Sequence, residues 1–184
     1  MKMKSYETYI LILSKIYAGV TRAILTEAEV LLPDGLVLTR GETSLRYKGP
    51  FPAVVKPTRM ENSVGVELVQ DKAEMEAAME RAYGYGDTVV VDTFKPGREV
   101  RCGAVELVRG KLQALGCIEY QVGKDKIRTF EDKLEGSDDE LRLAGTSWFV
   151  DATEEPELVR KLQQIALRIH RVMGCRDFSQ YDCR

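Results

Sequence analysis

The stretch Pro52-Ala53-Val54-Val55-Lys56-Pro57, followed after four residues by Asn62-Ser63-Val64-Gly65-Val66-Glu67, decides how this chain is to be read. Lys56 ends a short apolar run and is held before a proline. A buried strand does not take an ammonium without a partner, because burying an unpaired charge is costly. The small, glycine-containing loop then leads into a second strand-like run over residues 64–69. Strand, lysine, loop, strand is a layout that can close over a polyphosphate, with the lysine supplying charge and the loop supplying backbone N–H groups. The same residues also fit an edge-strand lysine whose head reaches solvent.

Outward from that stretch, the totals narrow the classes. A chain of 184 residues allows one domain or two small ones. Its formal net charge of −2 gives no general attraction to nucleic acid. The four cysteines (Cys102, Cys117, Cys175 and Cys183) form no C-x-x-C pair, and His170 is the single histidine. A zinc site therefore has little support, and free thiols in a reducing compartment are expected. No apolar run approaches the about 20 residues needed to span a bilayer, and a cytoplasmic protein is expected.

The hydrophobic pattern places the remaining elements. Residues 6–28 read as a helix weakened at Gly19, and residues 36–39 as a short strand after the turn at Leu32-Pro33-Asp34-Gly35. Asp71 is an N-cap with Glu74 as its capping-box partner. Met75, Ala78, Met79 and Ala82 then mark one buried helical face. Residues 88–91 form a nearly continuous apolar strand, and residues 99–108 and 112–120 a hairpin turning at Arg109-Gly110-Lys111. Residues 123–139 are polar without a period and read as a long loop. Residues 157–173 carry the clearest helical stripe, on Leu158, Leu162, Ile165, Ile169 and Val172, and Gly174 ends it. Residues 176–183 alternate as a closing strand. Strands and helices mix without a strict βαβ alternation, which predicts an α+β fold.

Four features follow in order: Lys56 with its loop; Asp92 ending the Val89-Val90-Val91 strand; Gly97-Arg98-Glu99 opening the hairpin; and Asp182 ending the closing strand. With Ser63-Val64-Gly65, Asp92-Thr93-Phe94-Lys95 and Gly174-Cys175-Arg176, this series resembles the D-alanine–D-alanine ligase-like ATP-grasp family over about residues 21–184. The resemblance implies an incomplete ATP-grasp fold of mixed or antiparallel sheets with flanking helices. It divides the chain into an N-terminal helix and linker (1–49), a small subdomain with the phosphate loop (50–96) and a larger subdomain (97–184).

It also implies roles. Lys56 matches the lysine on the ATP phosphates, and Asn62, Ser63 and Gly65 match the loop that covers them. Asp92, with Thr93, Phe94 and Lys95, matches the strand end that meets the adenine. Glu99 matches the acid that accepts from the ribose hydroxyls; its other reading is an exposed strand charge. Lys133 matches the lysine of a mobile loop, and Asp182 the first magnesium ligand. ATP, Mg2+ and a small amino acid are the implied ligands, with no nucleic acid and no membrane span. A homodimer or a place as an assembly subunit is compatible with the sequence.

The departures are as specific. Asn62 stands for a serine, Leu134 for a tyrosine, and Gln180 for an arginine that steadies charge at the acyl centre. An earlier nucleotide-contacting lysine is replaced by Ala18, with Lys15 one turn away as the nearest substitute. The family's N-terminal domain and its later glutamate and asparagine metal ligands are expected to be missing, which leaves the magnesium site incomplete. Three readings follow: the ATP-binding part of a carboxylate–amine ligase working through an acyl phosphate; a degenerate ATP-grasp domain acting as a nucleotide-binding or structural subunit; or an ATP-grasp ligase with another acceptor. Little ligase activity is expected of the chain alone.

Overall fold

The computed structural model describes residues 10–11, 18–60, 62–108, 110–130, 132 and 147–184. Nine strands and three α-helices are found among them. In chain order they are β1 (Ile10–Leu11), α1 (Ala18–Glu27), β2 (Gly35–Thr39), β3 (Ala53–Pro57), β4 (Glu67–Val69) and α2 (Lys72–Ala82). These are followed by β5 (Thr88–Thr93), β6 (Glu99–Val108), β7 (Lys111–Tyr120), β8 (Ser147–Phe149), α3 (Pro156–Val172) and β9 (Phe178–Cys183). Two 3-10 turns accompany them, Ser44–Arg46 in the polar segment after β2 and Tyr83–Tyr85 at the end of α2.

The strands form two sheets. One runs β2-β5-β3-β4 and the other β1-β9-β6-β7-β8, and every described pairing is antiparallel. Each sheet has its own helix. Met75, Ala78, Met79 and Ala82 of α2 pack on Leu38, Val55, Val69, Val89 and Val91, so the predicted stripe is the buried one. Leu158, Leu162, Ala166 and Ile169 of α3 pack on Val100, Cys102, Cys117 and Cys183. Burying a leucine such as Leu162 stabilises the fold by ~2 kcal/mol.

Local chemistry sets the helix ends. The Asp71 carboxylate accepts from the Glu74 N–H at 2.9 Å, while the Glu74 carboxylate reaches back to the Gln70 N–H at 2.7 Å. Pro156 opens α3 where its missing N–H costs nothing, and Gly174 follows its end at φ 63°.

Two segments differ from the sequence pattern. The helix drawn over residues 6–28 is helical from Ala18, whereas Ile10 and Leu11 extend and pair with Cys183 and Asp182. The free edge of β9 offers them backbone partners, and this outweighs a weak local helical preference. The strand drawn over residues 64–69 is confined to Glu67–Val69, because Ser63 and Gly65 take φ of 63° and 70°, outside extended geometry.

Strand β5 is buried on both faces, as its unbroken apolar run predicts: Val89, Val90 and Val91 are all at most 4% exposed. That burial extends to Asp92 at its end, and the site is built around it.

Candidate functional site

Asp92 is 4% exposed, and a lone carboxylate there would be strongly destabilising. Two cations meet it. Val54 lies opposite Asp92 in the β3–β5 register, so Lys56, two residues on, is its diagonal neighbour on the same face. The Lys56 Nζ lies 2.6 Å from Asp92 Oδ2. From α1, the Arg22 Nη1 donates to Asp92 Oδ1 at 2.6 Å, and its Nη2 donates to the Pro33 carbonyl at 2.6 Å. Gly35 sits opposite Asp92 on β2, where a β-carbon would be 2.8 Å from the Asp92 Cα and closer still to its carboxylate. The lysine that seemed to lack a partner in the sequence thus has one, and the cluster keeps one net positive charge.

This cluster forms one wall of a cleft. Ser63 and Val66 of the loop after β3 line it, as do Thr93, Phe94 and Lys95 beyond Asp92. The loop is wound tightly: Asn62 and Ser63 both take left-handed backbone angles, at φ 54° and 63°, and the Val66 N–H donates to the Ser63 carbonyl at 3.1 Å. Thr93 is a structural bolt, its N–H donating to the Asp34 carbonyl at 2.7 Å and its hydroxyl 3.2 Å from the Tyr47 hydroxyl. Lys95 lies 3.5 Å from the Asp34 carboxylate.

The five-stranded sheet supplies the opposite wall. Glu99 and Arg101 share a face of β6, and Arg101 lies directly across from Asp182 on β9. The Arg101 guanidinium grips both oxygens of that carboxylate, at 2.6 and 2.9 Å. Arg184 donates to Glu99 Oε2 at 3.0 Å and to the Lys126 carbonyl at 2.7 Å, and its guanidinium lies 5.3 Å from the Phe94 ring centre. Burial pushes the Glu99 carboxyl above the usual carboxylate range; Arg184 pulls it back, and the nearby Asp182 adds to the rise. Burial works against the charged Arg101 guanidinium, but the hydrogen bonds and charge of Asp182 across from it prevail and make it harder to deprotonate.

Of the residues singled out in the sequence, Lys56, Ser63, Asp92, Thr93, Phe94, Lys95, Glu99 and Asp182 line this one cleft. Asn62 and Gly65 shape its loop without lining it. Gln180 is exposed on β9 and is not among the lining residues. Lys15 and Lys133 lie outside the described residues. Four arginines escaped sequence reasoning: Arg22, Arg101, Arg128 and Arg184. Their partners are 70, 81 and 85 residues away for Arg22, Arg101 and Arg184, and no local spacing signals such pairs.

The donor set is unsuited to magnesium on its own. Mg2+ takes about six oxygens, with one or two from carboxylates. Among the described residues no group of three His, Cys, Asp or Glu side chains could hold a metal, and Asp182 gives both oxygens to Arg101. No helix among those residues is long and apolar enough to cross a membrane.

Comparison with known proteins bears on the family and the fold. The sequence model of the family described as "D-ala D-ala ligase C-terminus" matches residues 34–184. A D-alanine--D-alanine ligase of Citrifermentans bemidjiense is 31% identical over 162 residues, covering 88% of this chain and 48% of that protein. One from Geobacter sulfurreducens is 32% identical over 149 residues, covering 79% and 43%. The chain thus spans about half the length of the curated relatives it matches. Among solved structures, the D-alanine-D-alanine ligase of Coxiella burnetii superposes with a TM-score of 0.68 at 19% identity, covering 91% of this chain and 42% of that one. The Bacillus anthracis D-alanine--D-Alanine ligase complexed with ATP gives 0.66 at 20% identity, covering 92% and 48%. Both share the fold of two antiparallel sheets with flanking helices.

Proposed function

Since this chain belongs to the D-ala D-ala ligase C-terminus family, we propose that it is the ATP-binding part of an ATP-dependent carboxylate–amine ligase. In that reaction ATP phosphorylates a carboxylate, and an amine then displaces the phosphate. The observation that carries the reading is the single cleft walled by both sheets, in which Lys56, Ser63, Phe94 and Glu99 come together from four separate segments.

Lys56 meets the phosphates. A unit charge pair at about 4 Å is worth roughly 4 kcal/mol at a partly screened site. Asn62, Ser63 and Gly65 form the covering loop, whose left-handed turns present backbone N–H groups. Phe94, Thr93 and Lys95 border the base, and Glu99 accepts from the ribose hydroxyls once Arg184 yields. Asp92 takes a positioning role, because Lys56 and Arg22 already occupy its carboxylate. Lys133 is assigned to the loop that closes over the site, as the resemblance implies, and Lys15 stands as the nearest substitute for the nucleotide-contacting lysine replaced by Ala18; Asp182, the metal ligand of the resemblance, is held by Arg101 instead. D-alanine is the natural first amino acid to try, with the acceptor left to assay. The unit boundaries at 49/50 and 96/97 are retained as a proposal.

A second reading, a nucleotide-binding or structural unit without catalysis, is favoured by one observation. Both acids on the five-stranded wall are held by arginines, Glu99 by Arg184 and Asp182 by Arg101.

The test is calorimetric titration of ATP into the chain and into Lys56→Ala. The reading expects ATP affinity to fall about 10- to 100-fold in the variant; an unchanged affinity overturns it. Phosphate release with ATP, magnesium and D-alanine then tests the non-catalytic reading. The chain alone is expected to show little release, and turnover at an ordinary enzymatic rate excludes the non-catalytic one.

A further inference from the structure

We propose that Arg128 is an oxyanion-binding residue of the cleft and receives a phosphoryl oxygen of the bound nucleotide. This inference rests on the ATP-binding reading above.

Every other cationic side chain described at the cleft has a carboxylate. Lys56 and Arg22 share Asp92, Lys95 lies beside Asp34, Arg184 holds Glu99, and Arg101, just behind the lining, holds Asp182. Arg128 lines the cleft too, yet its Nη1 is buried with no hydrogen-bond partner. Buried donors are nearly always satisfied, so an orphan on a cleft wall marks a place where a ligand atom belongs.

The geometry suits an anion with several oxygens. The Arg128 guanidinium stacks on the Tyr120 ring at 3.7 Å from its centre. Stacking fixes the plane and leaves the edge N–H groups for in-plane acceptors, which is how guanidinium takes phosphate in a paired fashion. The carrying segment is anchored just before Arg128: Gly97 N–H donates to the Lys124 carbonyl at 3.2 Å, and Arg184 donates to that of Lys126 at 2.7 Å. Arg128 is thus held in place before any ligand arrives, so little ordering cost remains to binding. Two acids feel its charge: Glu99, already engaged by Arg184, and Asp132, whose carboxylate accepts from the Thr129 N–H and hydroxyl.

The experiment titrates ATP, adenosine and inorganic tripolyphosphate into the full chain, Arg128→Ala and Arg128→Lys, with circular dichroism confirming each fold. Loss of charged hydrogen bonds weakens ATP and tripolyphosphate by about 10- to 100-fold in Arg128→Ala, while adenosine stays within about twofold. Arg128→Lys recovers part of the loss, because it keeps the charge and forfeits the planar fork. Equal weakening of ATP and adenosine overturns the proposal, since it makes Arg128 a support for Tyr120. Unchanged ATP affinity in Arg128→Ala overturns it as well and leaves the ATP-binding reading standing. Failure of the parent chain to bind any of the three probes removes both.

Discussion

Arg101 and Asp182 face each other across β6 and β9, and one guanidinium takes both oxygens of the one carboxylate. Asp182 is 5% exposed, so the pair is desolvated on the acidic side. Removing Arg101 alone strands a buried charge. Arg101→Leu is expected to destabilise the chain by ~3–5 kcal/mol in urea denaturation. The double variant Arg101→Leu/Asp182→Leu is expected to regain most of that loss. A single variant as stable as the parent contradicts the pairing.

The same pair makes a statement about metal. Chelating magnesium with EDTA is expected to change ATP affinity of the parent chain by less than about threefold beyond the change seen in Asp182→Asn. A much larger metal effect in the parent than in Asp182→Asn means that magnesium displaces Arg101.

Glu99 gives a pH signature. Its carboxyl is raised by burial, so the folded chain holds the proton more tightly than the unfolded one. Its contribution is fully present below the ordinary glutamate range and is lost as pH rises through the folded value. Stability of the parent relative to Glu99→Gln is therefore expected to fall as pH climbs above about 4.3 and then to level off. Denaturation midpoints across pH 4 to 8 read this directly. A difference that grows with pH reverses the sign and removes the burial argument.

At Gly35 a methyl group has nowhere to go. Gly35→Ala drives a β-carbon into the Asp92 carboxylate and the Val91 carbonyl. Overpacking of this kind costs ~1–3 kcal/mol, and here the contacts are with backbone and a held charge. Thermal unfolding is expected to show a loss at the upper end, and a silent substitution means that β2 does not approach β5 this closely.

Ser63 pairs strain with position. A non-glycine residue at φ 63° is strained by ~1 kcal/mol, so Ser63→Gly is expected to stabilise the chain slightly. The same change removes the side chain of a residue that lines the cleft, and ATP affinity is expected to fall about threefold to tenfold. Gains in both properties separate the loop from nucleotide binding.

Much of the frame was legible because its signals are local. The Asp71 cap, the Met75–Ala82 stripe and the β6–β7 hairpin each rest on residues within a few turns of one another. The site was half legible for the same reason. Lys56, Glu99 and Asp182 each stand out beside their neighbours, and the resemblance ordered them. The arginines that hold those acids did not stand out, since only the assembled sheet brings Arg101 to Asp182 and Arg184 to Glu99. Strand β1 was missed on the same grounds: nothing in Ile10-Leu11 foretells that the edge of β9 is open to it.

Helix α1 touches both halves of the molecule. Leu25 is sealed into the core under α3, and Arg22, less than a turn earlier, holds Asp92 at the end of the small sheet. The helix is therefore a gauge that fixes how far apart the two walls stand at the rear of the cleft. One residue inserted between these two anchors turns the helix by about 100°. Leu25 or Arg22 must then leave its seat, and the spacing between the walls is no longer set. A change in α1, which carries only one of the ionic contacts at the cleft, can thus alter ligand fit without touching any residue that meets the ligand.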